Sequence, residues 1–273
     1  MKATAIGLTL ATLSLIGCAS DATTPTTPSY EEFRAETRRT FEGKEYFVVS
    51  GDIGVTEDQL RALYAKNFGD GIATIAQDSI VNRIGRRDDK WTASQALNLT
   101  YCVTDDFGSL KARVVSEMAQ ATAAWEAVAR VNFTYVPAQD SSCIGSNANI
   151  LFAVRPYTDG GACSFFPSGS ACVSWTLVID IADLDSNPFY LQETPNVKTV
   201  GVFRHELGHI LGLRHEHTRP NSGTCFEDSA WRALTPYDRD SVMHYPWCNG
   251  NSQSSLALTA SDITGVRALY GAP

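Results

Sequence analysis

His205-Glu206-Leu207-Gly208-His209-Ile210-Leu211-Gly212-Leu213-Arg214-His215-Glu216 sets three histidines, a glutamate and a glycine at intervals that suit a metal centre built on a helix. Residues four apart on an α-helix stand one above the other, so His205 and His209 can aim their imidazoles at one ion. At about 100° per residue, Val200, Phe203, Leu207, Ile210 and Leu211 gather on the other side. The helix is therefore expected to pack by one face and coordinate by the other. Gly212 follows the second ligand by three residues, where helices commonly end in a left-handed conformation that glycine adopts without a Cβ penalty. The chain can then turn back and bring His215 to the same ion.

Three imidazoles leave one tetrahedral position of Zn²⁺ open for water, whose pKa falls to about 7 on binding. Glu206 is the expected general base. A buried helix that carries His-Glu-x-x-His by accident is the bland alternative, and Gly212 with His215 makes it a poor one. All five histidines, His205, His209, His215, His217 and His244, fall in the last third of the chain, as a shared ion would favour.

The extended pattern resembles the metzincin zinc endopeptidases, in which His-Glu-x-x-His-x-x-Gly-x-x-His is followed by a methionine-containing turn beneath the metal. Ser241-Val242-Met243-His244-Tyr245 stands in the place of that turn, with Met243 its methionine. Glu216, the continuation His217-Thr218-Arg219, and Met243-His244-Tyr245 look most like the astacin branch. The segment from His215 to Met243 is shorter than in animal astacins, and Leu258 to Gly271 looks matrixin-like, so both placements stay open.

The resemblance spans about Trp91 to Pro273. It implies an α+β fold with a twisted mixed β-sheet, an active-site helix, the Met-turn, a C-terminal helix and a cleft between two subdomains. It also implies zinc as cofactor, a protein or peptide substrate, and metalloendopeptidase chemistry. Tyr245 would be a switchable fifth ligand that hydrogen-bonds the oxyanion of the tetrahedral intermediate; otherwise it is a core tyrosine. Glu216 would engage a newly formed N-terminus, or else orient the third ligand. His217 and His244 are expected in supporting roles away from the ion. Two other functions compete: a surface lipoprotein that binds a partner and keeps zinc as a structural clip, and hydrolysis of a non-peptide amide. A structural zinc normally has four protein ligands, which disfavours the clip.

With 273 residues, 44% of them hydrophobic, the chain can build one substantial core plus an appendage, and a monomer is expected. A net charge of −8 argues against nucleic acid as a partner. Residues 1–17 read as a secretory signal, their apolar run being shorter than the roughly 20 residues that span a bilayer. Leu15-Ile16-Gly17-Cys18 resembles the bacterial lipobox, which would lipidate Cys18 and anchor the exported protein to a bacterial membrane, at the outer membrane or cell surface. An ordinary signal cleaved near Ala19 would instead leave a secreted protein. Residues 18–29, rich in Thr and Pro, suit a tether.

Residues 30–90 read as a propeptide-like segment ahead of a catalytic domain over 91–273. Asp52, in Val49-Ser50-Gly51-Asp52, resembles the Phe-x-Gly-Asp motif that silences astacin zymogens, with Val49 where phenylalanine belongs; the alternative is a plain turn. Arg86-Arg87 is a candidate cleavage site.

Beyond Cys18, the remaining cysteines form an even set that suits disulfides in an oxidising compartment, although sequence leaves their connectivity open. Cys163 and Cys172 flank Pro167-Ser168-Gly169 and could close a hairpin, Cys225 with Cys248 would staple the loop before the Met-turn, and Cys102 with Cys143 remain by elimination. Strands are expected over 97–103, 132–136, 149–154 and 176–181, and a long helix over 110–131. Ala162 to Phe166 is the candidate edge strand for an extended substrate, with Phe165 and Phe166 possible core residues instead. Thr259 should cap a closing helix with Asp262 in its first turn.

Overall fold

A computed structural model describes residues 28–273 apart from 42–43, 50–52, 56, 58–59, 62–63, 66–79, 170–174, 187–197, 226, 228–229 and 252–254, with backbone alone at 41, 44, 46, 49 and 53–55. Cys18, Asp52 and Cys172, and with them the anchor, the latency motif and the third expected disulfide, lie outside the described residues.

The fold is α+β. Its centre is a five-stranded mixed sheet in the order β7-β6-β8-β10-β9, made by β6 (Leu99–Val103), β7 (Phe133–Tyr135), β8 (Phe152–Pro156), β9 (Ala162–Cys163) and β10 (Thr176–Ile179). Four strands run parallel, and β9 closes one edge antiparallel to β10, within the stretch expected to form that edge. Leu99, Val103, Phe152, Val154, Leu177 and Ile179 are fully buried in the main core. Strands covered on both faces read as short apolar runs rather than strict alternation, which is how these appear in the sequence.

After the short helix α2 (Ala93–Ala96), α3 (Lys111–Glu126) packs against α5 (Thr199–Ile210), the helix of the two-histidine motif, which follows the short α4 (Ile181–Ser186) in the chain. Met118 and Trp125 are fully buried in the main core, and the Trp125 indole Nε1 donates to the Arg204 carbonyl at 3.0 Å. The expected helix over 110–131 is shorter at both ends. Asp105–Leu110 is a 3₁₀ turn, and beyond Glu126 the chain reverses into β7, with the Phe133 amide donating to the Glu126 carboxylate at 2.6 Å. Strand β8 starts later than expected because Asn147 takes the Asn149 amide on its side-chain oxygen, making a turn of the polar residues before it.

The closing helix α6 (Ala260–Tyr270) begins as its sequence indicates. Thr259 and Asp262 form a reciprocal capping box. Two disulfides match expected pairs: Cys102–Cys143 ties β6 to the loop after residues 137–142, and Cys225–Cys248 ties the loop before the Met-turn to the loop after it.

The N-terminal part sits on the same body. Helix α1 (Tyr30–Thr37), β1 (Arg38–Phe41), β2 (Lys44–Val49) and β3 (Ile53–Val55) include a three-stranded antiparallel sheet. Its Phe47 joins Leu60 and Phe166 in one apolar cluster, and Val48 joins Tyr157, Cys163 and Val178 in another. This segment therefore covers the β9 end of the central sheet. Strand β4 (Ile80–Ile84) pairs with β5 (Arg87–Asp88) and β11 (Trp231–Ala233), and Val81 is wholly buried in the main core. Arg86 and Arg87 are exposed at the β4–β5 turn, where Gly85 has φ 59°.

Candidate metal centre

Helix α5 is buried almost all round, rather than along one face. His205, Glu206 and His209 are as inaccessible as the apolar residues Phe203, Leu207 and Ile210. Its C-terminus closes in a Schellman arrangement: the Gly212 amide donates to the His209 carbonyl at 2.8 Å and the Leu213 amide to the Gly208 carbonyl at 2.9 Å. Gly212 has φ 90°, and a Cβ there would run into the Asp89 carbonyl oxygen. The side chains of Trp91 and Tyr270 take two further terminal carbonyls, those of Ile210 and Leu211, at 2.7 and 2.8 Å. The chain leaving this turn is pinned to β4, with the Asn82 amide on the Gly212 carbonyl and the Arg214 amide on the Ile80 carbonyl.

That reversal carries His215 back to the first two histidines. The Nε2 atoms of His205 and His209 lie 3.2 and 3.1 Å from the Nε2 of His215. Each Nδ1 faces an oxygen: the Val242 carbonyl at 2.7 Å for His205, the Leu213 carbonyl at 2.8 Å for His209, and a carboxylate oxygen of Glu227 for His215. Acceptors at all three Nδ1 positions place the protons there and leave the Nε2 lone pairs facing one another. Three converging lone pairs repel unless a cation lies among them. Tetrahedral ligands about 2.0–2.1 Å from zinc stand roughly 3.3 Å apart, so the trio has the spacing and protonation of a zinc site.

The acceptors come from three separate segments. Val242 belongs to the Met-turn, which is held by α6: Asp262 accepts from the Ser241 hydroxyl at 2.6 Å and the Val242 amide at 2.9 Å. Met243 lies beneath the helix, its sulfur filling the space that a Cβ on Gly208 would need. Leu213 is part of the turn after Gly212. Glu227 lies in the loop that begins at Cys225.

Glu227 and the second role of His217 were not visible in the sequence. The Glu227 carboxylate is buried and takes the His215 Nδ1–H, the His217 Nε2–H at 3.1 Å and the Arg214 guanidinium at 2.8 Å. Burial pushes this carboxyl up, but His215, His217 and Arg214 together hold it well below the usual range. His217 also accepts the Tyr245 amide on Nδ1 at 3.3 Å, so it links the Met-turn exit to Glu227. A lone glutamate twelve residues past the motif, in a stretch without helical or strand periodicity, gives no signal that pairs it with a particular imidazole.

Tyr245 stands against the trio, its ring 4.5 Å from that of His215 and 5.5 Å from that of His205, and the Trp247 ring stacks on it at 4.4 Å. Glu216 is buried beside the third ligand in the chain. Its carboxylate accepts from Arg219 and from the Asp238 amide, each at 2.9 Å, and burial pushes it up to about 8 against the lowering effect of Arg219. His244 accepts the Tyr237 hydroxyl at 2.8 Å, and burial pushes it down to about 4. Phe165 and Phe166 are both buried, Phe166 with its ring edge-on to His209 at 5.4 Å. The nearby Ser164 hydroxyl donates to the Glu206 carbonyl at 3.0 Å.

Residues 90–222 match the family model for matrixin peptidases. A zinc metalloproteinase of Caenorhabditis elegans, nas-38, is 32% identical over 108 residues, which is 33% of this chain and 13% of that protein. This chain therefore spans a small part of the length of that relative. Among solved structures, myroilysin aligns at TM-score 0.48 and 18% identity, covering 70% of this chain and 98% of its own. The hatching enzyme zinc-protease HCE-1 of the medaka fish Oryzias latipes aligns at TM-score 0.44 and 19% identity, covering 71% and 100%. Across the segment that carries the histidine trio and Glu206, then, the chain is similar to the matrixins, a metzincin family.

Proposed function

We propose that the chain is a zinc metalloendopeptidase. The observation that carries this reading is the convergence of three Nε2 lone pairs, each fixed by a hydrogen bond at Nδ1, two of them from the helix in which Glu206 lies between His205 and His209 and the third from His215 beyond its end. His205, His209 and His215 would hold the ion. When bound, zinc polarises the scissile carbonyl and lowers the pKa of water to about 7. Glu206 takes the proton of the attacking water and later delivers it to the leaving amine. Tyr245, beside His205 and His215, donates to the oxyanion. An extended peptide pairs with the β9 edge of the sheet.

The N-terminal segment would act as a latency element, because Phe47 and Leu60 cover Phe166, which lies against His209. Asp52 remains its candidate inhibitory carboxylate. Export and lipid attachment at Cys18 belong to the same proposal, and mass spectrometry of the mature N-terminus reads both.

The test is digestion of a denatured protein and a peptide library by the purified chain, before and after removal of the N-terminal segment, with Glu206→Ala and chelator controls. Cleavage abolished by both controls is expected. Stoichiometric zinc with no cleavage in any form would overturn the reading and leave the structural clip.

A further inference from the structure

We infer that Glu227 is the positioning residue of the metal centre, fixing the tautomer and orientation of His215 and thereby the affinity for the ion; this rests on the metallopeptidase reading above. The three ligands are not equally constrained by the backbone. His205 and His209 share a helix buried almost all round, and each has a main-chain carbonyl at Nδ1 to set its ring. His215 lies beyond the Gly212 reversal, with extended-type φ −58° and ψ 125°, where no helix fixes its side chain. At its Nδ1 stands a carboxylate, where His205 and His209 have main-chain carbonyls.

That acceptor is anchored on every side the structure shows. Arg214, next to the ligand it serves, donates to Glu227 Oε2, while His215 and His217 share Oε1. The His217 ring stacks on that of His215 at 4.6 Å and 20°, which blocks rotation of the ligand from one face. The Cys225–Cys248 disulfide then holds the Glu227 loop to the segment after the Met-turn. A proton on Nε2 of His215 would aim the Nδ1 lone pair at a buried carboxylate, so Glu227 selects the tautomer whose lone pair joins those of His205 and His209. A carboxylate partner also raises the basicity of the ligating nitrogen.

The same His215, His217 and Glu227 could in principle hold a metal themselves. Their hydrogen-bond pattern satisfies all three without one, so one ion per chain is expected.

The experiment uses the full chain. Zinc stoichiometry and dissociation constant are measured by competition with a chromophoric chelator for wild type and Glu227→Gln, together with the visible spectrum of the cobalt-substituted forms and the melting temperature of the metal-free forms. The expected result is one ion per chain in wild type, a zinc dissociation constant raised roughly 10–100-fold in the variant, and a shifted cobalt spectrum. A merely structural role would lower the metal-free melting temperature and leave the cobalt spectrum unchanged. Wild type that holds no zinc sinks the metallopeptidase reading itself. Wild type that holds one zinc, with a variant of equal affinity and identical spectrum, sinks the role of Glu227 alone, as do two ions per chain. If Glu227→Gln does not fold, proton NMR of zinc-loaded wild type decides: one of the three ligand N–H resonances should lie well downfield of the other two, and three similar shifts overturn the inference.

Discussion

Gly212 carries more of the site than its size suggests, because its φ of 90° and its approach to the Asp89 carbonyl both exclude a side chain. Gly212→Ala should cost at least the roughly 1–2 kcal/mol of a left-handed non-glycine residue, with the collision added. A lowered urea midpoint together with weaker zinc binding is the expected reading, since the turn also supplies the Leu213 carbonyl to His209. Glu206→Gln and Tyr245→Phe should separate two roles. The first removes the proton carrier and should abolish turnover while zinc content stays at one ion per chain; the second should lower kcat by about 10²–10³-fold, the cost of one oxyanion donor, with KM little changed. Equal kcat for Tyr245→Phe and wild type would return Tyr245 to the core. At this scale the sequence was most legible where geometry is local. His205, His209, Gly212 and His215 lie within one helix and one turn, so their spacing encodes their convergence. Glu227 reaches His215 only through tertiary folding of a loop with no period of its own.

Element boundaries followed a similar division. The apolar runs of β6, β8 and β10 and the capping box of α6 were readable from type and order, whereas the ends of α3 and the start of β8 were set by Glu126 and Asn147 side chains bonding across turns. Helix α6 matters to the site through Asp262, which is buried and accepts from Ser241, Val242 and both the amide and hydroxyl of Thr259. Asp262→Asn turns an amide group toward those donors. It should destabilise the fold by about 1–3 kcal/mol in urea unfolding, the range for an unsatisfied buried group. Because Val242 holds His205, zinc affinity should fall with it. An unchanged zinc affinity alongside reduced stability would show that the Met-turn keeps its position without α6.

Over the whole molecule, α+β class, sheet edge, Met-turn and closing helix could be anticipated, but the seating of the N-terminal segment on Phe166 could not, since an apolar residue in a strand does not announce which distant ring it will cover. Adding zinc at a hundred times its dissociation constant should stabilise the protein by about 2.7 kcal/mol, read as a melting temperature that rises with free zinc and collapses on chelation. A melting temperature indifferent to zinc would contradict the centre. The strand Ile80–Ile84 has a consequence for maturation. It lies upstream of Arg86-Arg87 yet bonds to β11 and to Gly212 and Arg214 where the chain leaves the helix. A protease nicking that exposed hairpin would cut the covalent thread without ejecting the strand: the ripened molecule would travel as two polypeptides through a native column and come apart only in detergent. A recombinant version begun at Arg87 would be born missing a structural rib.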